Sequence, residues 1–191
     1  MTSNIARNND AVAAINGGGF YDPNGTGTGR LPYGFILHDG KYLLGEKVDD
    51  DEEVDFIGFS DSGNLIAGTY NKAELRRLGV IEGITFGPPL VVNGQKTITH
   101  GDGGWGIGPR TAIGQRRDGT VLFLVIDGRQ VGYSVGASLA DVQNIMYEQG
   151  AYIAANLDGG SSSTLYLNGK VVNKPADLLG ERMIPTAFIV K

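Results

Sequence analysis

In four places this chain sets apolar residues against a polar residue and glycine: Ala13–Tyr21 (AAINGGGFY), Gly108–Gly114 (GPRTAIG), Phe123–Arg129 (FLVIDGR) and Ala154–Thr164 (AANLDGGSSST). This recurrence restricts the fold most. Glycine adopts backbone conformations closed to other residues and lets a ligand approach the main chain. The chain has 31 glycines in 191 residues, about 16% against a usual ~7%. They follow no collagen-like period and gather at 17–19, 25–29, 101–108 and 159–160. The pattern describes strands that turn sharply at polar loops. Such ends suit binding sites, because the strand fixes the side chain and the loop leaves room.

Three segments carry helical spacing. Thr2 or Ser3 caps a short amphipathic helix running to about Val12. Asn71 caps a second, with Ala73, Leu75 and Leu78 facing inward and Gly79 as its stop. Ser138 caps a third from Leu139 to about Gln149, where Leu139, Val142, Ile145 and Met146 share a face and Gly150 ends the pattern. Strands are expected over 33–37, 41–45, 54–59, 64–69, 89–93, 111–116, 120–126, 152–157, 163–167 and 184–190. Val121–Ile126 is almost wholly apolar, the pattern of a strand buried on both faces. Turn residues at His38-Asp39-Gly40, Asp61-Ser62-Gly63-Asn64, Arg117-Asp118-Gly119 and Asn168-Gly169 predict hairpins. The sum is a single α+β domain, a twisted mixed β-sheet with about three helices.

Net charge is −5 with no basic stripe, which argues against nucleic-acid binding. The run Asp49–Glu53 reads as a solvated loop. No apolar run approaches the length of about 20 residues that spans a membrane, and no signal peptide is visible. Without cysteine there is neither disulfide nor thiolate chemistry. Zinc-helix, Walker-type and Gly-x-Ser-x-Gly motifs are missing. Of the two histidines, His38 falls in a hairpin turn. His100 precedes the Gly101–Gly108 loop and is a candidate for lining a site.

Within the four stretches, Asp158 closes an apolar strand and is followed by bare amides and hydroxyls, a combination suited to an anion or a sugar. Arg110 offers a rigid forked cation that suits phosphate or carboxylate; its bland alternative is a surface salt bridge. Asp127-Gly128 alone is a turn signal, and Asn16 alone caps a turn.

Together these stretches resemble the phosphodiester glycosidase family. The matching residues run in the family's order: Ile15–Phe20, Gly87–Gly94, Arg110–Gly114, Asp127–Arg129, Asn156–Thr164, Val172–Pro175 and Glu181-Arg182. They cover nearly the whole chain from residue 11. Two departures stand out. Ser161 occupies a position where the family usually has a third glycine. The family's strands ahead of the first motif have almost no counterpart, so residues 1–191 are expected to form one phosphodiester glycosidase domain lacking N-terminal strands or an anchor of a longer protein.

The resemblance implies hydrolysis between a sugar's anomeric carbon and a phosphodiester. The leaving phosphate monoester has a second pKa of about 6, so it departs at neutral pH without full protonation. Cations that hold the phosphate then matter more than a general acid. Arg110 is the first candidate for that clamp, with Arg129 and Arg182 behind it. Asp158 is the first candidate to activate water or attack the sugar. Asp127 and Glu181 are reserves, Glu181-Arg182 being alternatively an internal ion pair. Asn16 and Asn156 are candidates for sugar hydroxyls. Thr111, Ser162, Ser163, Gly159, Gly160 and the amides of Gly17, Gly18 and Gly19 complete the expected substrate site. No cofactor is required; a divalent cation is compatible but not indicated. The expected partner is a sugar phosphate or a cell-envelope glycopolymer, and the expected location is outside a bacterial cell or on its surface. Two other readings stay open: a non-catalytic carbohydrate- or polyphosphate-binding module, and a metal-assisted phosphodiesterase using Asp127, Asp158 and Asp102.

Overall fold

The computed structural model describes residues 1–23, 27, 29–43 and 48–191. The chain opens with α1 (Thr2–Asn8), β1 (Ala13–Asn16) and a small ribbon of β2 (Phe20–Tyr21) and β3 (Leu31–Pro32). Next come β4 (Ile36–His38), β5 (Lys41–Leu43), β6 (Val54–Ser60), β7 (Leu65–Tyr70), α2 (Lys72–Arg77) and β8 (Val80–Thr85). The second half holds β9 (Pro89–Val92), β10 (Gln95–Lys96), β11 (Arg110–Gln115), β12 (Val121–Ile126), α3 (Leu139–Glu148) and β13 (Ile153–Leu157). A 3-10 turn (Gly160–Ser162), β14 (Leu165–Leu167), β15 (Lys170–Val171) and β16 (Ala187–Val190) complete it. Residues 44–45 of the expected strand 41–45, and residues 25, 26 and 28 of one glycine cluster, lie outside the described residues.

The class is α+β, as expected. The expected mixed sheet is resolved into two five-stranded sheets, β5-β4-β8-β6-β7 and β10-β9-β13-β11-β12, beside the four-stranded β15-β14-β1-β16 and the two-stranded ribbon. Every described strand pairing is antiparallel. Short hairpins account for much of this, since a two-residue turn returns the chain antiparallel. Asp39-Gly40 and Asn168-Gly169 both have positive φ, as the hairpin turns that match strand twist require.

The two five-stranded sheets share a core in which Ile57, Leu65, Ala67 and Ile84 meet Ile113, Ala155, Leu157 and Ile15. On its other face the second sheet packs Leu90, Val91, Ala112 and Ala154 against Leu139, Val142 and Met146 of α3. The first sheet packs Phe35, Leu37 and Phe56 against Leu75 of α2. Both α2 and α3 begin with a capping box, Asn71 with Glu74 and Ser138 with Asp141, which satisfies two otherwise orphaned amide donors. Helix α1 stops at Asn8, short of the expected Val12, and its N-cap is Met1.

Val121–Ile126 departs from its pattern. It is the edge strand of its sheet, and its residues after Val121 are half-buried. Leu122, Leu124 and Ile126 pack toward α3, while Phe123 and Val125 pack toward the inter-sheet core. Apolar alternation thus serves both faces, but one edge faces outward. Complete burial belongs to its neighbour β11, which lies between β12 and β13.

Strand β8 escaped the sequence reading because Gly83 interrupts it. Gly83 pairs directly with Gly58 of β6, and the Phe56 ring fills the space over both; a Cβ on Gly83 would lie 2.4 Å from that ring. Glycine inside a strand ordinarily weakens it and marks a close approach, and here the approaching group is the ring.

Candidate active site

The end of β13, the end of β1 and the start of β11 meet at Asp158. The Asn16 amide donates to the Asp158 carbonyl at 2.6 Å, and its oxygen accepts from Thr111 Oγ1 at 2.8 Å and the Thr164 amide at 3.1 Å. The Asp158 amide donates to Gly17 O at 3.0 Å, and the Gly160 amide to Pro109 O at 2.9 Å. Gly159 is glycine for space: a Cβ there would lie 2.7 Å from the Pro109 carbonyl oxygen. Asn16 and Thr111 are fully buried. They lie beneath the site and brace it, where Asn16 was expected to face a sugar.

Asp158 itself is half-buried. Burial pushes its carboxyl above the ordinary aspartate range; the Ser162 hydroxyl, the Arg182 charge and the Gly159 amide pull the other way. Ser162 is close enough to favour the carboxylate, yet its hydroxyl falls outside sound hydrogen-bond geometry. The hydroxyls of Ser162 and Ser163 are both buried and without partners. Buried polar groups are normally bonded, so two unpartnered hydroxyls in the turn that follows Asp158, one of them acting on its carboxyl, mark a place for a ligand.

The three arginines differ sharply. Arg110 is 5% exposed, and its guanidinium donates to Ala137 O at 2.9 Å, Trp105 O at 3.0 Å and Gly106 O at 2.5 Å. It ties down the Gly101–Gly108 loop from below. Burial lowers its pKa, as does the charge of Arg129, while Asp102 opposes them. Three of its five donors are spent on carbonyls and Nη1 has no hydrogen bond among the described residues, so it braces the loop rather than making the alternative surface salt bridge. Arg129 is exposed, in a left-handed conformation with φ +57°. Its guanidinium lies against Gly160, where a Cβ would sit 3.2 Å from Nη1, and against Gly108 at 3.7 Å from Nε. Among the described residues no side-chain hydrogen bond or ion pair occupies it. Arg182 is mostly buried and pairs with Asp22 at 2.5 Å, while its Nε has no acceptor.

The reserve carboxylates are committed elsewhere. Asp127 accepts from Asn173 Nδ2 at 2.8 Å, from the Lys174 amide at 3.0 and 3.1 Å, and from Tyr133 OH at 3.0 Å. Both its oxygens anchor neighbouring loops. Glu181 accepts from the Ser3 amide at 2.9 Å, in the first turn of α1. The expected Glu181–Arg182 ion pair is replaced by the Arg182–Asp22 pair and this helix contact. Asn156 donates to Gly87 O at 3.0 Å and leaves its buried oxygen unpartnered. The Gly17 and Gly18 amides are not free for a phosphate, because they donate to Thr186 O at 2.8 Å and Thr186 Oγ1 at 3.1 Å. His100 is exposed and bonds Thr99 at 2.9 Å. Among the described residues, one group of three metal-type ligands exists, His38 with Asp39 and Glu82 on the β4–β5 hairpin and β8; Asp102, Asp127 and Asp158 do not form another.

Asp22 and Thr186 were missed. Asp22-Pro23 reads as an ordinary turn, and Thr186 sits in an unremarkable apolar run.

The phosphodiester glycosidase family model matches residues 9–191. An uncharacterized SPbeta prophage-derived protein of Bacillus subtilis is 37% identical over 81 residues, 42% of this chain and 12% of that protein. The N-acetylglucosamine-1-phosphodiester alpha-N-acetylglucosaminidase of Bos taurus is 35% identical over 77 residues, 40% of this chain and 14% of that enzyme. The matched stretches are thus a small part of these relatives' length. In structure, the catalytic domain of the zebrafish enzyme of that name, auto-inhibited by its pro-peptide, superposes with a TM-score of 0.77 at 23% identity, covering all of this chain and 67% of that one. A putative exported protein of Burkholderia pseudomallei gives a TM-score of 0.69 at 18% identity, covering all of this chain and 68% of that one. Both structures share the fold. With the family model matching almost end to end, the chain belongs to the phosphodiester glycosidase family.

Proposed function

We propose that the chain is a hydrolase that cleaves the bond between a sugar's anomeric carbon and a phosphodiester, with Asp158 as the working carboxylate. The observation that carries this reading is the placement of Asp158 at the end of β13 with the Ser162 hydroxyl and the Arg182 charge acting on its carboxyl, ahead of a turn whose Ser162 and Ser163 hydroxyls are buried without partners. Asp158 lies on a rigid strand end, and its raised pKa marks a carboxylate held where burial works against its charge, a frequent property of catalytic groups. Ionised, it deprotonates a water or attacks the anomeric carbon. Arg129 and Arg182 have unused donors with which to neutralise the departing phosphate, and the serine hydroxyls supply further bonds. The substrate class is a sugar-1-phosphodiester, free or within a cell-envelope glycopolymer.

Hydrolysis of a sugar-1-phosphodiester in ¹⁸O-labelled water tests the reading. Label on the anomeric oxygen of the released sugar is the expected result. Label in the phosphate means attack at phosphorus and overturns it. Tight binding without any turnover identifies a binding module instead.

A further inference from the structure

Arg182 is held on three sides. Its Nη2 meets the Asp22 carboxylate at 2.5 Å, with the two side chains only 19% and 12% exposed. Its guanidinium lies over the Phe20 ring, 5.0 Å from the centroid. Gly27 closes the third side: with φ +65°, its absent Cβ would come within 3.0 Å of Nε and 3.1 Å of Nη2. Asp22 is itself fixed, since the same oxygen accepts from the Gly27 amide at 2.9 Å. Among the described residues the bond to Asp22 is the sole hydrogen bond of this guanidinium. With Nη2 pinned and Nε buried against Gly27, Nη1 has no hydrogen bond among the described residues; this end of a rigid fork whose charge reaches Asp158 is suited to receive an oxyanion.

We propose that Asp22 is a positioning residue for this site: it fixes Arg182 so that the unspent edge of the guanidinium meets the substrate's phosphate. The inference rests on the function proposed above and adds a residue to it. The contribution is geometric and runs against simple electrostatics. A carboxylate beside Arg182 reduces the positive potential felt by an anion. If Asp22 acted through charge alone, its removal would tighten phosphate binding. If it acts by position, removal frees the arginine and weakens binding.

Titration calorimetry of the whole chain with inorganic phosphate separates the two signs. Asp22→Ala is expected to weaken phosphate binding by about tenfold, the scale of one charged hydrogen bond lost. Asp22→Glu should recover part of that loss, and Asp22→Asn, a milder change should Asp22→Ala not fold, should weaken binding less. In an Arg182→Gln background, Asp22→Ala should cost no further affinity, because the residue works through Arg182. Phosphate binding by Asp22→Ala or Asp22→Asn equal to or tighter than wild type overturns the proposal. So does a full additional loss in the Arg182→Gln background. A wild-type chain that binds no phosphate overturns the parent reading instead, and the inference with it.

Discussion

Asn16 and Asp158 lie 142 residues apart in the chain and are joined by a 2.6 Å hydrogen bond from the asparagine amide to the aspartate carbonyl. The same amide oxygen serves Thr111 and Thr164, so one buried side chain ties together the ends of β1, β11 and β13. Asn16→Ala leaves a hydroxyl, an amide and a carbonyl buried without partners, at about 1–3 kcal/mol each. We expect a fall in Tm of at least ~6 °C, from ~2–4 °C per kcal/mol in a domain of this size, together with loss of activity. Thermal unfolding checks it; a Tm within two degrees or so of wild type would refute the bracing role.

Arg110 and Arg129 should behave as opposites. Arg110→Ala removes three hydrogen bonds that tie down the Gly101–Gly108 loop, Ala137 O keeping only the Gly108 amide, so it should lower Tm by several degrees. Arg129→Ala, which removes an exposed guanidinium with no hydrogen bond among the described residues, should leave Tm within about a degree yet raise KM about tenfold. Parallel melting curves and steady-state kinetics decide the matter. The reverse assignment would return the phosphate clamp to Arg110.

For Asp158→Asn the expected outcome is turnover lost with the fold strengthened. Activity requires the carboxylate, so wild-type kcat/KM should fall as pH drops through the raised pKa of Asp158, above the ordinary value of 3.8. The stability effect has the opposite sign. Burial penalises the ionised form, so the native state favours the proton more than the unfolded chain does. That preference supports the fold below 3.8 and is lost as pH rises through the folded pKa. At neutral pH wild type therefore carries a penalty that asparagine lacks. Asp158→Asn should melt higher than wild type at pH 7, and the difference should vanish in acid. A lower Tm at pH 7, or undiminished activity, would contradict the assignment.

Gly160→Ala probes the seat of Arg129. The residue has φ +61°, and a methyl group would press within 3.2 Å of the guanidinium. It should cost roughly 1 kcal/mol or more in backbone strain and reproduce the KM defect of Arg129→Ala. Kinetics on the single and double variants check this, since the double should be no worse than either single in KM.

Much of this molecule was legible in its residues. Asn71 and Ser138 announced two helices through capping chemistry that acts within four residues, and Asp39-Gly40 and Asn168-Gly169 announced hairpins by local backbone demand. Asp158 was legible because a strand end, glycines and hydroxyls adjoin in sequence. What escaped depended on distant partners. The bracing role of Arg110 depends on the Ala137 carbonyl 27 residues away. Asp127 and Glu181 looked like free carboxylates until Asn173, Lys174, Tyr133 and Ser3 took them up. Strand β8 was hidden because Gly83 is explained only by the Phe56 ring across the sheet. Burial of Val121–Ile126 was overread, since apolarity does not tell an edge strand from a central one.

The pairing of β1 with β16 carries a consequence for timing. Gly17 and Gly18 are secured by Thr186, which lies 168 residues beyond Gly18, so this glycine motif settles beside Asp158 only after that later segment has paired with it. Until residues 186–190 are in place, the motifs at 110–114 and 156–164 have no closed site. The same arrangement makes β16 a latch: loss of its pairing with β1 would release Gly17 and Gly18 while most of the two-sheet core stays intact.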